Sequence, residues 1–271
     1  MTDAGAQAAL EILKAEQARR DELRRTDWSR NARPDQLPPD GDWRTWMILA
    51  GRGWGKTRTG AETVRLWVEA GYRRIALIGP TAADVRDVMI EGESGILNVF
   101  PAESRPHYEP SKRRIVFANG AIATAYTADE PDRLRGPQHD AAWCDELAAW
   151  RRGDAAWSNM LMGLRLGRDP KVVVTTTPRP IPLVKGIMVA PTTKTTRGRT
   201  LDNAANLAPQ FLSEIVSRYE GTRLGRQELD GEVVEAVEGA LWNLEQIERL
   251  RVDAAPELVR IVVAVDPAVS A

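Results

Sequence analysis

Cysteine is almost absent. Cys144 is the only one in the chain, so no internal disulfide can form, and the chain suits a reducing cytoplasm. Long apolar runs are absent too. No stretch approaches the ~18 consecutive apolar residues needed to span a bilayer, and the polar, charged segment from Met1 to Arg25 does not read as a signal peptide. Net charge is nearly missing: 37 basic residues meet 38 acidic ones, for a formal charge of -1. That balance excludes the global basic field common in nucleic-acid binders, while leaving room for a local basic patch. Arginine supplies 31 of the 37 basic residues, and several stand in pairs: Arg73-Arg74, Arg113-Arg114 and Arg151-Arg152. Arginine is the better fork for phosphate, although an alanine- and arginine-rich composition also follows from genome base content. No internal repeat is present.

What is there is enough for one large domain, or one domain with appendages, in 271 residues that are 43% apolar. Residues 5–25 have helical spacing with many charges. A proline-rich linker is expected from Arg33 to Gly41. Trp46 to Ala50 is a short apolar strand that meets a glycine-rich turn, Gly51 to Gly55. Thr57 to Ala70 has helical spacing and ends at Gly71, a C-cap residue. Ile75 to Ile78 reads as a second strand, followed by a helix from a Thr81 cap through Met89. Asn119-Gly120 between two apolar runs signals a hairpin. Further strands are expected at Ala141–Cys144, Val172–Thr176 and Val259–Val265. Helices are expected at Asp154–Leu164, Pro209–Tyr219 and Leu241–Arg251. Strands alternating with helices argue for an α/β fold, a mostly parallel sheet with helices on both faces.

The strongest chemical signal is Ala50-Gly51-Arg52-Gly53-Trp54-Gly55-Lys56-Thr57, between an expected strand and an expected helix. That is the context of a phosphate-binding loop. Glycines let backbone N–H groups turn toward phosphate oxygens, and the helix N-terminus adds partial positive charge. Lys56 can reach the β- and γ-phosphates of ATP, and the Thr57 hydroxyl can ligate Mg²⁺. Ala50 departs from the usual glycine at the first position.

A second signal is the strand that ends in Asp145 and Glu146. Asp145 can hold Mg²⁺, and Glu146 can polarise an attacking water. Thr175, Thr176 and Thr177 follow another core strand. Their hydroxyls either contact the γ-phosphate or lytic water, or cap the strand by turn chemistry. Asp132-Arg133-Leu134-Arg135-Gly136 offers either an arginine finger, in which Arg133 and Arg135 of an extended loop point to opposite sides, or a pair of solvated surface arginines.

These motifs together, with Pro80-Thr81-Ala-Ala-Asp-Val-Arg-Asp87 and Leu134-Arg135-Gly136-Pro137, resemble the large terminase subunits of tailed phages, prophages and gene transfer particles. The resemblance runs from about Gln36 to the end. It implies a P-loop NTPase of the additional-strand, catalytic-glutamate type with a small linking subdomain. Lys56 and Thr57 match the phosphate loop, Asp145 and Glu146 the metal and catalytic acids, and Thr175–Thr177 the coupling motif. Arg135 matches the arginine credited with reaching a neighbouring subunit's ATP. Arg52 joins the nucleotide contacts, and Gln36 matches the adenine-side motif. Val262 to Asp266 matches the first strand and a metal-binding aspartate of an RNase H-type nuclease whose other acids have no counterpart here.

The organisation this implies is an N-terminal helical segment at 1–32 and an ATPase core at 33–190. A linking subdomain follows at 191–255, then the first strand of a truncated nuclease domain at 256–271. Nuclease activity is expected of the full-length family and not of this chain. The implied function is ATP hydrolysis driving double-stranded DNA into a capsid. The partners are a portal protein, a small terminase subunit and further copies in a ring, in the host cytoplasm at the procapsid, with no membrane. Alternatives are a helicase- or recombinase-like translocating ATPase and a slow nucleotide-dependent assembly switch. No further helicase signature is present, and Glu146 argues against the switch.

Overall fold

The computed structural model describes residues 3–219, 222–233 and 249–252. The chain divides into two compact units, Met1–Val234 and Glu235–Ala271. The strand expected at Val259–Val265, Asp266, and most of the helix expected at Leu241–Arg251 lie outside the described residues.

One eight-stranded sheet organises the first unit. Its strands are β1 (Thr45–Ala50), β2 (Arg74–Gly79), β3 (His107–Glu109), β4 (Arg114–Val116), β5 (Ile122–Thr127), β6 (Ala141–Asp145), β7 (Lys171–Thr176) and β8 (Thr193–Gly198). Their spatial order is β3-β4-β5-β2-β6-β7-β1-β8. From β5 to β8 every pairing is parallel, and β3, β4 and β5 pair antiparallel at one edge. The helices are α1 (Asp3–Thr26), α2 (Trp28–Asn31), α3 (Lys56–Glu69), α4 (Ala82–Asp84), α5 (Ile96–Val99), α6 (Gly153–Gly163), α7 (Pro182–Val189), α8 (Pro209–Tyr219) and α9 (Arg223–Glu228).

The central strands are buried on both faces, as crossover helices require. Trp46, Ile48, Leu77, Trp143 and Val173 belong to one core cluster with Val64 and Trp67 of α3. Met47, Leu49, Ile78, Cys144 and Val174 belong to a second, with Met160 of α6 and Ile187 of α7. Alternate residues of β1 therefore feed opposite cores, the period of two that a strand imposes. Gly60 of α3 is what lets that helix lie against β6. A Cβ there would come within 2.2 Å of the Trp143 indole.

Two local expectations change. The helix capped by Thr81, whose hydroxyl accepts from Asp84 N at 3.2 Å, widens after α4 into a π-helical stretch, Val85–Ile90. The wide turn brings Val85, Met89 and Ile90 into the core together. The segment Arg33–Gly41 is not a free linker. It opens with a 3₁₀ turn at Pro34–Gln36, and the Arg33 guanidinium stacks 4.8 Å from the Trp54 ring. Proline kept the backbone from a longer helix, but the side chains dock. The hairpin at Asn119-Gly120 forms between β4 and β5. No apolar pattern announced the short β3 or the largely polar β8.

Candidate functional site

All the parallel strands point their C-terminal ends at one edge, and the loops leaving β1, β6 and β7 meet there. Because β7 lies between β1 and β6, the phosphate-type loop and the two acids are separated by one intervening strand.

The loop after β1 turns through Gly53 (φ 74°) and Gly55 (φ 104°) into α3. At Gly55 a side chain would be strained by the backbone and crowded by Gln36, whose Nε2 lies 2.9 Å from where a Cβ would stand. The first amides of α3, at Lys56 and Thr57, have no carbonyl within the helix to bond, the usual condition of a helix N-terminus. Lys56 is buried, and its Nζ donates to Ala50 O (3.0 Å), Gly51 O (3.3 Å) and Thr177 Oγ1 (3.1 Å). Thr57 is half-buried in the first turn.

The loop is clamped from outside itself. Gly51 N donates to Gly198 O at 3.0 Å, and Arg52 N to Glu228 O at 2.8 Å. Asn203 Nδ2 donates to Gly53 O at 2.6 Å, and Arg33 Nη2 to Trp54 O at 2.8 Å. Thr200 Oγ1 donates to Arg52 O at 2.7 Å. The Trp54 ring is fully buried, so its expected part in phosphate binding falls to its backbone. The Arg52 side chain is turned to Glu228, with Nε 2.8 Å from Oε2, and that carboxylate holds its proton affinity above the ordinary arginine value. Gln36 is buried, accepting from Arg33 N at 3.2 Å and donating to Thr59 Oγ1 at 3.0 Å.

The acids follow β6. Asp145 is buried and accepts from Thr175 Oγ1 at 2.5 Å, and that hydroxyl accepts in turn from Trp143 Nε1 at 2.8 Å. Burial first, then the neighbouring Glu146, push the Asp145 carboxyl up, against the pull of Thr175 and Lys56. Glu146 sits in the left-handed region, φ 45° and ψ 45°, a backbone cost of the kind held at functional positions. That turn sets Glu146 Oε1 3.7 Å from Lys56 Nζ and lets Oε2 accept from Thr177 N at 3.3 Å. Thr176 Oγ1 accepts from Ala148 N at 3.0 Å. Thr175, Thr176 and Thr177 thus reach Asp145, the loop after Glu146, and Glu146 with Lys56, in that order.

Arg135 is not brought into this network: its neighbours Leu134 and Pro137 lie beside Gly163, at the end of α6 far from Glu146. Its side chain is 68% exposed and, among the described residues, meets Asp132 alone, at 3.5 Å. The loop is not extended as expected: Pro131–Leu134 forms a 3₁₀ turn, so spacing of three pairs side chains. Arg133 meets Glu130 at 2.7 Å, as Arg135 meets Asp132. The sequence reading missed Asn203, Thr200 and Glu228, whose distance along the chain left no signal. It also missed Trp143, whose place two residues before Asp145 was legible as core only.

A metal and nucleotide fit these residues. Thr57 and Asp145 are hard oxygen donors, suited to Mg²⁺, and a buried carboxyl raised by its surroundings gains from a cation at that point. Among the described residues no group of three or more His, Cys, Asp or Glu gathers, so phosphate oxygens and water would complete the metal's shell.

Parallel sheet, phosphate-type loop after β1, acids after β6 and an added strand between them define a P-loop NTPase fold of the additional-strand type. The family model described as terminase large subunit, T4likevirus-type, N-terminal, matches residues 47–249, and the chain belongs to this family. Among solved structures it is similar to the large terminase ATPase domain of Thermus phage P74-26, at TM-score 0.53 and 16% identity over 73% of this chain and 95% of that one. It is also similar to the large terminase of a thermophilic bacteriophage in complex with ADP, at TM-score 0.56 and 17% identity over 79% of this chain and 53% of that one. The match to the HK97 bacteriophage large terminase has TM-score 0.52 and 14% identity over 70% of this chain and 47% of that one. The chain therefore spans about half the length of these two large terminases. No curated protein matches it. Among the described residues no helix is long and apolar enough to cross a membrane.

Proposed function

We propose that this chain is the ATPase motor of a large terminase subunit, hydrolysing ATP to drive double-stranded DNA into a capsid. The observation that carries the reading is the contact of Thr177 with both Lys56 Nζ and Glu146. It joins the phosphate loop, the acid after β6 and the end of β7 in one set. The large terminase of the thermophilic bacteriophage has been solved with ADP and with ATP-γ-S, which supports a nucleotide at the corresponding place here.

In this reading the amides at the start of α3 and Lys56 Nζ bind the phosphates, a fixed array of donors with a cation at its centre. Thr57 and Asp145 hold Mg²⁺, which when bound neutralises phosphate charge. Glu146 Oε1 or Oε2 takes the proton of the attacking water. Gln36, at the base of the loop, faces the adenine side. When a phosphate oxygen takes the Lys56 ammonium from its neutral partners, Thr177 loses one of its contacts, and the change is passed to β7. Arg135 is exposed enough to serve ATP held by the next copy in a ring. The portal, the small subunit, the host cytoplasm and the linking role expected of residues 191–255, apart from β8, which is part of the sheet, belong to the same proposal. Asp266, expected to be a nuclease metal ligand, lies outside the described residues, and no step is proposed for it.

The test is hydrolysis by Glu146→Gln. Gln keeps the shape but takes no proton, so ATP binding should persist while turnover is lost, and the wild type should turn over faster with duplex DNA. Wild-type turnover by Glu146→Gln would move the base elsewhere. Strand separation in place of duplex translocation would favour a helicase-like motor.

A further inference from the structure

Two loops on the catalytic edge carry arginines that the site does not use. Arg151 and Arg152 follow the 3₁₀ turn Leu147–Ala149, five and six residues after Glu146. Arg179 comes two residues after Thr177. All are exposed, and among the described residues none closes an ion pair or a side-chain hydrogen bond. Asp154, in the first turn of α6, pairs with neither Arg151 nor Arg152. The loops run together: Ala148 N donates to Thr176 Oγ1, Thr177 N to Glu146 Oε2, and a Cβ on Gly153 would meet Leu183 Cδ2 at 2.9 Å.

Two other clusters of basic residues on this unit are spoken for. The groove beside β4 and β5, lined by Lys112, Arg113 and Arg133, is flanked by Glu109 and Glu130, which pair with all of these cations. Arg20, Arg24 and Arg25 in α1 pair with acids one turn away. An arginine without an acid keeps its full charge and its planar set of donors, the form that grips a phosphate.

We propose that Arg151, Arg152 and Arg179 form a contact for the phosphate backbone of duplex DNA. The inference rests on the motor reading above and deepens it by naming where the DNA is held. Each arginine hangs from a loop whose root touches Glu146 or Thr177, so the grip shifts when the contacts of Lys56 and Glu146 change. Such a contact reads charge and not sequence.

The experiment measures binding of a short labelled duplex to the full chain with ATP-γ-S over a range of salt. Each lost phosphate contact should lower the slope of log Kobs against log salt by about 0.9. The triple variant R151A/R152A/R179A should therefore lose about 2.7 of slope and on the order of tenfold or more in affinity, with basal ATP hydrolysis unchanged and DNA stimulation lost. A control, R44A/R105A/R168A, removes three exposed arginines that precede β1, β3 and β7, at the opposite edge. It should bind as the wild type does. Thermal unfolding of both variants checks that neither has lost its fold. Equal slope and affinity for the site triple and wild type would overturn the proposal, and so would an equal loss in the control. Weakened self-association with intact DNA binding would assign the arginines to a protein interface and overturn it too. If the wild type neither binds duplex nor responds to it, the motor reading itself fails, and this inference with it.

Discussion

The loop after β1 and the loop after β5 leave the same edge of one sheet, yet they are built in opposite ways. In the first, four consecutive residues are tied to other parts of the chain by backbone atoms: Gly51, Arg52, Gly53 and Trp54. The Lys56 ammonium at its end is buried among fixed oxygens. In the second, Leu134 is fully buried, while its neighbour Arg135 stands in solvent with one long contact to Asp132. A group that must hold charge in place is best positioned before the charge arrives, because no reorganisation is then needed. A group whose partner comes from another molecule must stay outside. The contrast teaches that the first loop is fixed before any ligand arrives, while on the proposed reading the second would need a neighbouring copy to complete it.

The sharpest way to break this comparison is to show that Arg135 is not needed. An arginine finger is worth on the order of 10³–10⁵ in rate. Arg135→Ala should lose turnover on that scale while ATP affinity changes little. Mixing Arg135→Ala with Glu146→Gln should restore part of the activity, since some interfaces then pair an intact acid with an intact arginine from the neighbour. No rescue in assemblies shown to be mixed would place Arg135 in cis or make it structural. Glu146→Gln alone should cost about 10²–10⁴ in turnover, the usual worth of a positioned base. Equilibrium titration with labelled ATP should show binding intact there and lost in Lys56→Ala. Unchanged affinity in Lys56→Ala would remove the phosphate loop from the account.

The same contrast explains what the sequence made legible. Gly51 to Thr57 and Asp145-Glu146 could be read because their chemistry needs particular residues at fixed short spacing, and local spacing is visible in a sequence. The core strands were visible as apolar runs for the same reason. The clamp was not: Thr200, Asn203 and Glu228 lie some 150 residues or more from the loop they hold, and no local pattern marks a partner that distant. β8 escaped notice because its sequence, Thr-Lys-Thr-Thr-Arg-Gly, is polar with only Gly198 buried, so it has no apolar alternation to show. The conformation around Arg135 was not legible because a proline-led 3₁₀ turn and an extended loop look alike in composition.

A smaller effect tests the rigid half. Trp143 packs against Gly60 and donates to Thr175, which donates to Asp145. Gly60→Ala would put a methyl 2.2–2.5 Å from the indole. Overpacking of this kind costs about 1–3 kcal/mol, against the gain of up to ~1 kcal/mol that alanine brings to a helix. Denaturant unfolding should show a net loss, with Thr175 moved enough to weaken Mg²⁺-dependent ATP binding. A stabilised variant with normal binding would mean that α3 and β6 are not held to each other through this contact.

The smallest effect separates the two layers of the clamp itself. Arg52 is held twice by residue 228, once through the backbone, N to O, and once through the side chains, Nε to Oε2. The side-chain pair is largely open on the arginine side, where Arg52 is 70% exposed. Exposed ion pairs are commonly worth about 0–1 kcal/mol, because solvent screens them and ordering two side chains costs entropy. Glu228→Gln should therefore lower stability by less than about 1 kcal/mol, and the loss should shrink further as salt rises. The loop would still be held by Gly198, Asn203, Arg33 and the backbone of residue 228, so ATP affinity should stay close to the wild-type value. A double-mutant cycle with Arg52→Gln isolates the pair. A coupling well above about 1 kcal/mol, insensitive to salt, would exceed what an exposed pair supplies. The side chains would then do the clamping, and the loop after β1 would be less fixed than its backbone contacts make it.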